Sequence, residues 1–117
     1  MSIRERPFVT DRADSTDYEP MMIGGVQVGE AHWLRTEGSH GNPHEACLWR
    51  TDAPARYEYL FDGDESFQVL EGSASIELLD TGERVELKVG DIASFDNGTR
   101  SVWTFTEPFK KFTVISR

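Results

Sequence analysis

From Ala46 onward, apolar and polar residues alternate with a period of two over short stretches, and clusters of Gly, Asp, Asn and Pro interrupt them. Residues 46–50 lead into a turn at Asp52-Ala53-Pro54, after which Tyr57, Tyr59 and Phe61 share one face of a strand. Asp62-Gly63-Asp64 turns the chain again, and Phe67 and Val69, with Leu70, start another strand. Ala74, Ile76 and Leu78 alternate up to a hairpin turn at Asp80-Thr81-Gly82-Glu83, and Val85, Leu87 and Val89 alternate back. Gly90-Asp91 and Asp96-Asn97-Gly98 are further turns, and residues 102–106 and 112–115 are the last strands. Upstream, residues 23–30 and 31–36 read as short strands and residues 37–43 as a loop dense in Gly, Asn and Pro. No window repeats apolar residues at helical spacing behind a cap. Short strands broken by turns every 8 to 12 residues or so predict an all-β sandwich or barrel.

Residues 1–22 are polar without a sustained apolar period and are expected to form an N-terminal arm, with 23–117 as a single domain. A chain of 117 residues buries one core. The formal charge of -9 and the absence of any Lys/Arg cluster larger than Lys110-Lys111 argue against nucleic acid and anionic membrane partners. No apolar run approaches the roughly 18 residues of a spanning helix. Met1 to Pro7 place no apolar stretch behind their charges, so no secretory signal is expected. Cys47 is the lone cysteine, which leaves no internal disulfide and fits a cytoplasmic protein.

Two Gly-punctuated segments carry the sharpest signal. In the first, Glu65 is followed by six residues and Gly72; in the second, Gly90 is followed by five residues, Asp96, one residue and Gly98. This pair of spacings resembles the two motifs of the cupin superfamily, which implies a double-stranded β-helix (jelly-roll) barrel. Metal-binding cupins carry two histidines one residue apart before the glutamate and a third after the last glycine of the second motif. Here the first pair falls on Tyr59 and Phe61 or on Glu58 and Leu60, and the third on Ser101. Alternation across the strand and a buried lumen favour Tyr59 and Phe61. Neither they nor Ser101 are good donors to a first-row metal, and Glu65 alone does not hold one, so the resemblance implies a barrel with no metal and no cofactor. Trp49, the aromatic strand, Glu65 to Gly72 and Gly98-Thr99-Arg100-Ser101-Val102-Trp103 together resemble one compact single-domain branch of unknown function, similar to the cupin domain of ethanolamine-utilisation proteins. The likeness spans roughly residues 45–116. It extends to the cupin halves of ureidoglycine aminohydrolase, which keep metal ligands that this chain lacks. Asp96 stands where the pattern usually has proline.

The expected ligand site is the barrel mouth, with Trp49, Tyr59, Phe61, Glu65, Phe67, Ser101 and Trp103. The aromatic members either line a pocket or fill the barrel. Glu65 is an acid or base with a raised pKa facing an apolar lumen, a group that binds a cationic part of a ligand, or a structural group paired with Arg100, Arg56 or a backbone donor; burying it without a partner would cost several kcal/mol. Arg100 alternates away from Ser101 and is expected in a salt bridge on the barrel wall. His40, His44 and Cys47 offer only three strong ligands across a Gly-Asn-Pro loop, short of the four of a structural zinc site. Cys47 is expected to be packing, and His32 a surface or interface residue. The leading expectation is a metal-free cupin binding a small metabolite of unknown identity, as a homodimer that covers exposed strand edges. A metal-independent isomerase, epimerase or hydrolase using Glu65, and an accessory interaction protein with a closed barrel, are the alternatives.

Overall fold

The computed structural model describes residues 7–117, and among them it holds ten strands, one 3-10 turn at Ser39–Gly41 and no α-helix. One sheet has six strands in the order β1 (Glu19–Ile23), β2 (Val26–Arg35), β3 (His44–Thr51), β10 (Phe109–Ser116), β5 (Asp64–Glu71) and β8 (Ile92–Phe95). The other has four, β4 (Ala55–Leu60), β9 (Arg100–Phe105), β6 (Ser73–Leu78) and β7 (Arg84–Lys88). All pairings are antiparallel, and they nest: β3 with β10, β4 with β9, β5 with β8 and β6 with β7. That nesting folds one long ribbon over on itself, which is the jelly roll expected from the sequence.

Alternation sets what faces the lumen. In β4, Tyr57 and Tyr59 are half-buried while Arg56, Glu58 and Leu60 are exposed, and Phe61 beyond the strand is fully buried. In β5, Glu65, Phe67 and Val69 are buried, while Asp64, Ser66 and Gln68 are exposed and Leu70 is half-buried. The aromatic rings meet across the two sheets: Trp103 lies 5.6 Å from Phe67, and Trp49 lies 5.7 Å from Phe105. Such ring contacts add about 0.5–1.5 kcal/mol each beyond burial.

Two glycines are required by this packing. A Cβ on Gly29, at φ +65°, would sit 2.6 Å from the Trp49 ring, so glycine lets the indole lie flat on β2 and donate to the Val28 carbonyl at 3.0 Å. A Cβ on Gly72, at φ +75°, would fall 2.1 Å from the Pro108 carbonyl oxygen, so no larger residue fits where β5 passes into β6.

The boundary expected between residues 22 and 23 falls inside β1, which pairs with β2. Residues 1–6 of the expected arm lie outside the described residues. The part from Thr10 to Ala13 runs over the outer face of the six-stranded sheet, above Leu34, Leu48, Leu70 and Phe112. Lys110 Nζ donates to the Ala13 carbonyl, and the Arg50 guanidinium stacks 3.7 Å from the Tyr18 ring. His32 therefore has partners that its neighbours in sequence did not reveal: Nδ1 is 2.7 Å from the Asp17 carbonyl oxygen and Nε2 is 2.6 Å from Asp11 Oδ2. Both ring nitrogens face acceptors, so both must carry a proton for both bonds to form.

The hydrogen bond to Asp11, with that to the Asp17 carbonyl, raises the His32 pKa above its ordinary 6.5. A raised folded value means that this contribution to stability is complete below the unfolded pKa and is lost as pH rises through the folded one. A ring-proton NMR titration is expected to place the His32 midpoint above 6.5, with Asp11→Asn returning it toward that value. A midpoint at or below 6.5 in the unaltered chain would refute the arm-to-sheet latch.

Candidate functional site

Three inward-facing strands deliver the polar groups of the lumen to one point. Glu65 comes from β5, Tyr59 from β4, and Lys111 and Thr113 from β10. Tyr59 donates its phenol to Glu65 Oε1 at 2.8 Å, while Lys111 Nζ at 2.7 Å and Thr113 Oγ1 at 2.6 Å both donate to Oε2. Lys111 pairs across the strands with Val69, so its side chain lies along the inner face of the sheet to reach Glu65. Its ammonium sits among ring faces, 4.6 Å from the centres of Phe67 and Trp103 and 5.3 Å from Trp49. Cation–π attraction at such a desolvated site is worth about 2 kcal/mol.

The side chains of Glu65 and Lys111 are 2% and 7% exposed, so the pair is shielded from water. Burial alone would raise the Glu65 pKa. The Lys111 charge and the hydrogen bonds from Lys111, Thr113 and Tyr59 outweigh it and hold the carboxyl below its ordinary value. Burial, reinforced by the Glu65 charge and hydrogen bond, pushes the Tyr59 phenol up, so Tyr59 is a neutral donor. Burial, with smaller help from nearby carboxylates, pushes the Cys47 thiol up to about 12 against the opposing charge of Lys111.

A cavity adjoins these groups. It offers about 30 Å³ to the centre of a water-sized sphere, room for one or two waters, and its walls include Met21, Val28, Trp49, Tyr57 and Ile115. Of the residues expected to form a ligand site, Trp49, Tyr59, Glu65 and Trp103 line it, whereas Phe61, Phe67 and Ser101 do not. Phe61 stacks on Phe95 with ring centres 4.7 Å apart. Phe67 faces the Lys111 ammonium. Ser101 is a structural bridge, donating to the Tyr59 carbonyl at 2.8 Å and accepting from Trp103 Nε1 at 3.1 Å.

The partner of Glu65 is neither Arg100 nor Arg56 but Lys111. Arg100 points outward to Asp80 at 2.6 Å, as its alternation required. A last strand of residues 112–115 contains Thr113 but omits Lys111, whereas β10 begins at Phe109. Extended back to Phe109, the same alternation runs Phe109, Lys111, Thr113, Ile115 and puts a lysine on an otherwise apolar face. Both neighbours of Lys111 in that row are buried.

Many cupins hold a metal at this depth of the barrel, and the residues here do not fit one. Tyr59, Phe61 and Ser101 stand at the expected ligand positions. The Glu65 oxygens already accept three hydrogen bonds, and an ammonium 2.7 Å away would repel a second cation. No group of three or more His, Cys, Asp and Glu side chains able to hold a metal occurs among the described residues. His44 instead contacts Ser116 Oγ at 3.2 Å, and His40 lies in the 3-10 turn.

Removing one member of a buried ion pair strands the other. Glu65→Gln and Lys111→Met are each expected to destabilise by about 3–5 kcal/mol, and the double variant by much less than their sum, in urea denaturation. Additive losses would refute the coupling. Because the folded Glu65 pKa is depressed, its contribution to stability is present above the ordinary carboxyl pKa and is lost as pH falls through the folded value. The Cys47 thiol should resist a thiol-specific reagent at pH 8 in the native protein and react once the chain is unfolded in urea. Rapid native labelling would contradict the burial of β3.

Comparison with known proteins agrees with this geometry. The family model described as "EutQ-like cupin domain" matches residues 41–112, more than half of the chain. Among solved structures, a DUF861-family protein of Thermotoga maritima is 26% identical with a TM-score of 0.53, over 56% of this chain and 73% of that one. The EutQ protein of Clostridium difficile gives a TM-score of 0.65 at 15% identity, over 76% of this chain and 62% of that one. A putative ethanolamine utilization protein Q of Salmonella typhimurium LT2 gives 0.58 at 17% identity, over 86% and 94%. No curated protein matches in sequence. With the two motif segments, the nested strand pairs and the family match in agreement, the chain belongs to the EutQ-like cupin family.

Proposed function

We propose that this chain is a metal-free cupin that binds a small metabolite in the lumen beside the Glu65–Lys111 pair. The observation that carries this reading is the coincidence of the cavity with the buried polar groups. Residual space within the aromatic core lies against Glu65, Lys111, Tyr59 and Thr113. An apolar pocket with a few convergent polar groups is the usual form of a small-molecule site. The space beside Glu65 weighs against an accessory protein with a closed barrel. The enzyme reading, with Glu65 as acid or base, is less well supported. Its carboxylate is held ionised and accepts three hydrogen bonds, which makes it a poor proton donor and a weak base.

The proposal includes a homodimer in the cytoplasm. A dimer would cover apolar surface at the sheet edges, where Ile92 on β8 is 78% exposed and Met22 on β1 is 57% exposed. The lone, buried, unpaired thiol is compatible with a reducing compartment, and no helix among the described residues is long and apolar enough to cross a membrane. Light scattering behind gel filtration is expected to give twice the chain mass; a monomer at micromolar concentration would remove the dimer from the proposal.

A thermal-shift screen against a metabolite library tests the lumen. A ligand that binds only the folded chain raises its apparent stability. Val28→Leu, which pushes a methylene into the cavity, should abolish the shift while the unliganded protein still melts cooperatively. A hit whose shift survives Val28→Leu and Trp103→Ala would place its site outside the lumen.

A further inference from the structure

We infer that the lumen selects a small, uncharged molecule bearing a carbonyl oxygen, and that the group that receives it is the Lys111 ammonium rather than Glu65. This rests on the lumen being a ligand site and names what that site takes.

The argument is a count of hydrogen-bonding capacity. Glu65 accepts from Tyr59 on one oxygen and from Lys111 and Thr113 on the other. The hydroxyl protons of Tyr59 and Thr113 are thereby committed to it. The Lys111 ammonium has three N–H groups, and Glu65 is its one hydrogen-bond acceptor among the described residues. Two N–H groups are left to ring faces and to the adjoining cavity. The site thus has donors in excess, since a ring face is a weaker acceptor than an oxygen. A complementary ligand supplies acceptors.

Charge decides which acceptor. Glu65 and Lys111 cancel, so the lumen is neutral as it stands. An anion would enter a low-dielectric space beside the Glu65 carboxylate with no net charge to receive it. A cation would meet Lys111. A carbonyl group offers two lone pairs and brings no charge, as in an amide, ketone or aldehyde. Size limits the rest of the molecule. The cavity is small, and the wall that can yield is Met21, a flexible thioether on β1 at the sheet edge. The remaining walls, Val28, Trp49 and Ile115, suit a short alkyl or flat group on the carbonyl.

Acetamide, acetate and acetamidinium have one shape and three charges, and xenon probes the apolar space without any polar group. Each is titrated into the full chain while the indole N–H resonances of Trp49 and Trp103 are followed by NMR. Acetamide is expected to shift them with an affinity about ten-fold tighter than either ion, the worth of one hydrogen bond. The double variant Glu65→Gln with Lys111→Met avoids a lone buried charge. It should stay folded by its melting curve, keep xenon binding and lose the preference for acetamide. Acetate or acetamidinium binding as tightly as acetamide, or an acetamide preference that survives the double variant, would overturn the inference and leave the lumen as a site. Failure of all four probes, xenon included, to move either indole would overturn both the inference and the lumen reading.

Discussion

An ammonium and a carboxylate held 2.7 Å apart inside a ring of aromatic side chains are what the rest of this barrel has to accommodate. Neither charge is tolerable alone at that depth, since the effective cost of burying one ion is several kcal/mol even after relaxation. Together they are stable only if the remaining lone pairs and protons are engaged. Tyr59 and Thr113 do this for Glu65, and the faces of Phe67, Trp103 and Trp49 do it in part for Lys111. A well-packed apolar substitute would give similar or greater stability. The pair is therefore weak evidence of added folding stability.

The surrounding architecture follows from keeping that arrangement dry and rigid. Trp49 is pinned to β2 through the Val28 carbonyl and the space left by Gly29. Trp103 is pinned through Ser101, which is itself bonded to the backbone at Tyr59. The two indoles that contact the ammonium are thus each fixed by their own N–H, so the ring walls do not adjust independently of the strands. The N-terminal strand closes the remaining side with Met21, the least rigid group on the cavity wall. On the outer face, the segment from Thr10 to Ala13 covers apolar residues of the same sheet and is tied down through His32 and Lys110.

Membership in the EutQ-like cupin family places the polar cluster where other cupins arrange metal ligands, and the chemistry it offers is different. A Lewis acid polarises a bound oxygen by direct coordination. An ammonium does so by hydrogen bonding, with weaker polarisation and no change in coordination number. The positive charge here is built into the chain, and Lys111 lines the remaining space. Glu65, which in a metal site would be a ligand, is the counter-charge that keeps the lysine inside.

Alternation of period two was enough to read most of the barrel from the sequence. It put Tyr57 and Tyr59 on the inner face of β4, with Phe61 buried just beyond it, Ser101 and Trp103 inward on β9 and Arg100 outward, because side-chain direction in a strand is a local property. The Gly-punctuated spacings located the motif segments, and Tyr59, Phe61 and Ser101 at the ligand positions are not a metal-ligand set. The partner of Glu65 was not legible in the same way. Lys111 lies 46 positions away, and two arginines nearer the motif were equally plausible by composition. Only the pairing of β10 with β5 brings the lysine onto the inner face of the same sheet, and only its length along that face closes the distance. Likewise His32 gained its partners from an arm whose own residues carry no periodic signal. Direction within a strand is set by the backbone, so the sequence determined which residues face inward. Which inward groups meet depends on strand order and register, and that was decided by the tertiary structure.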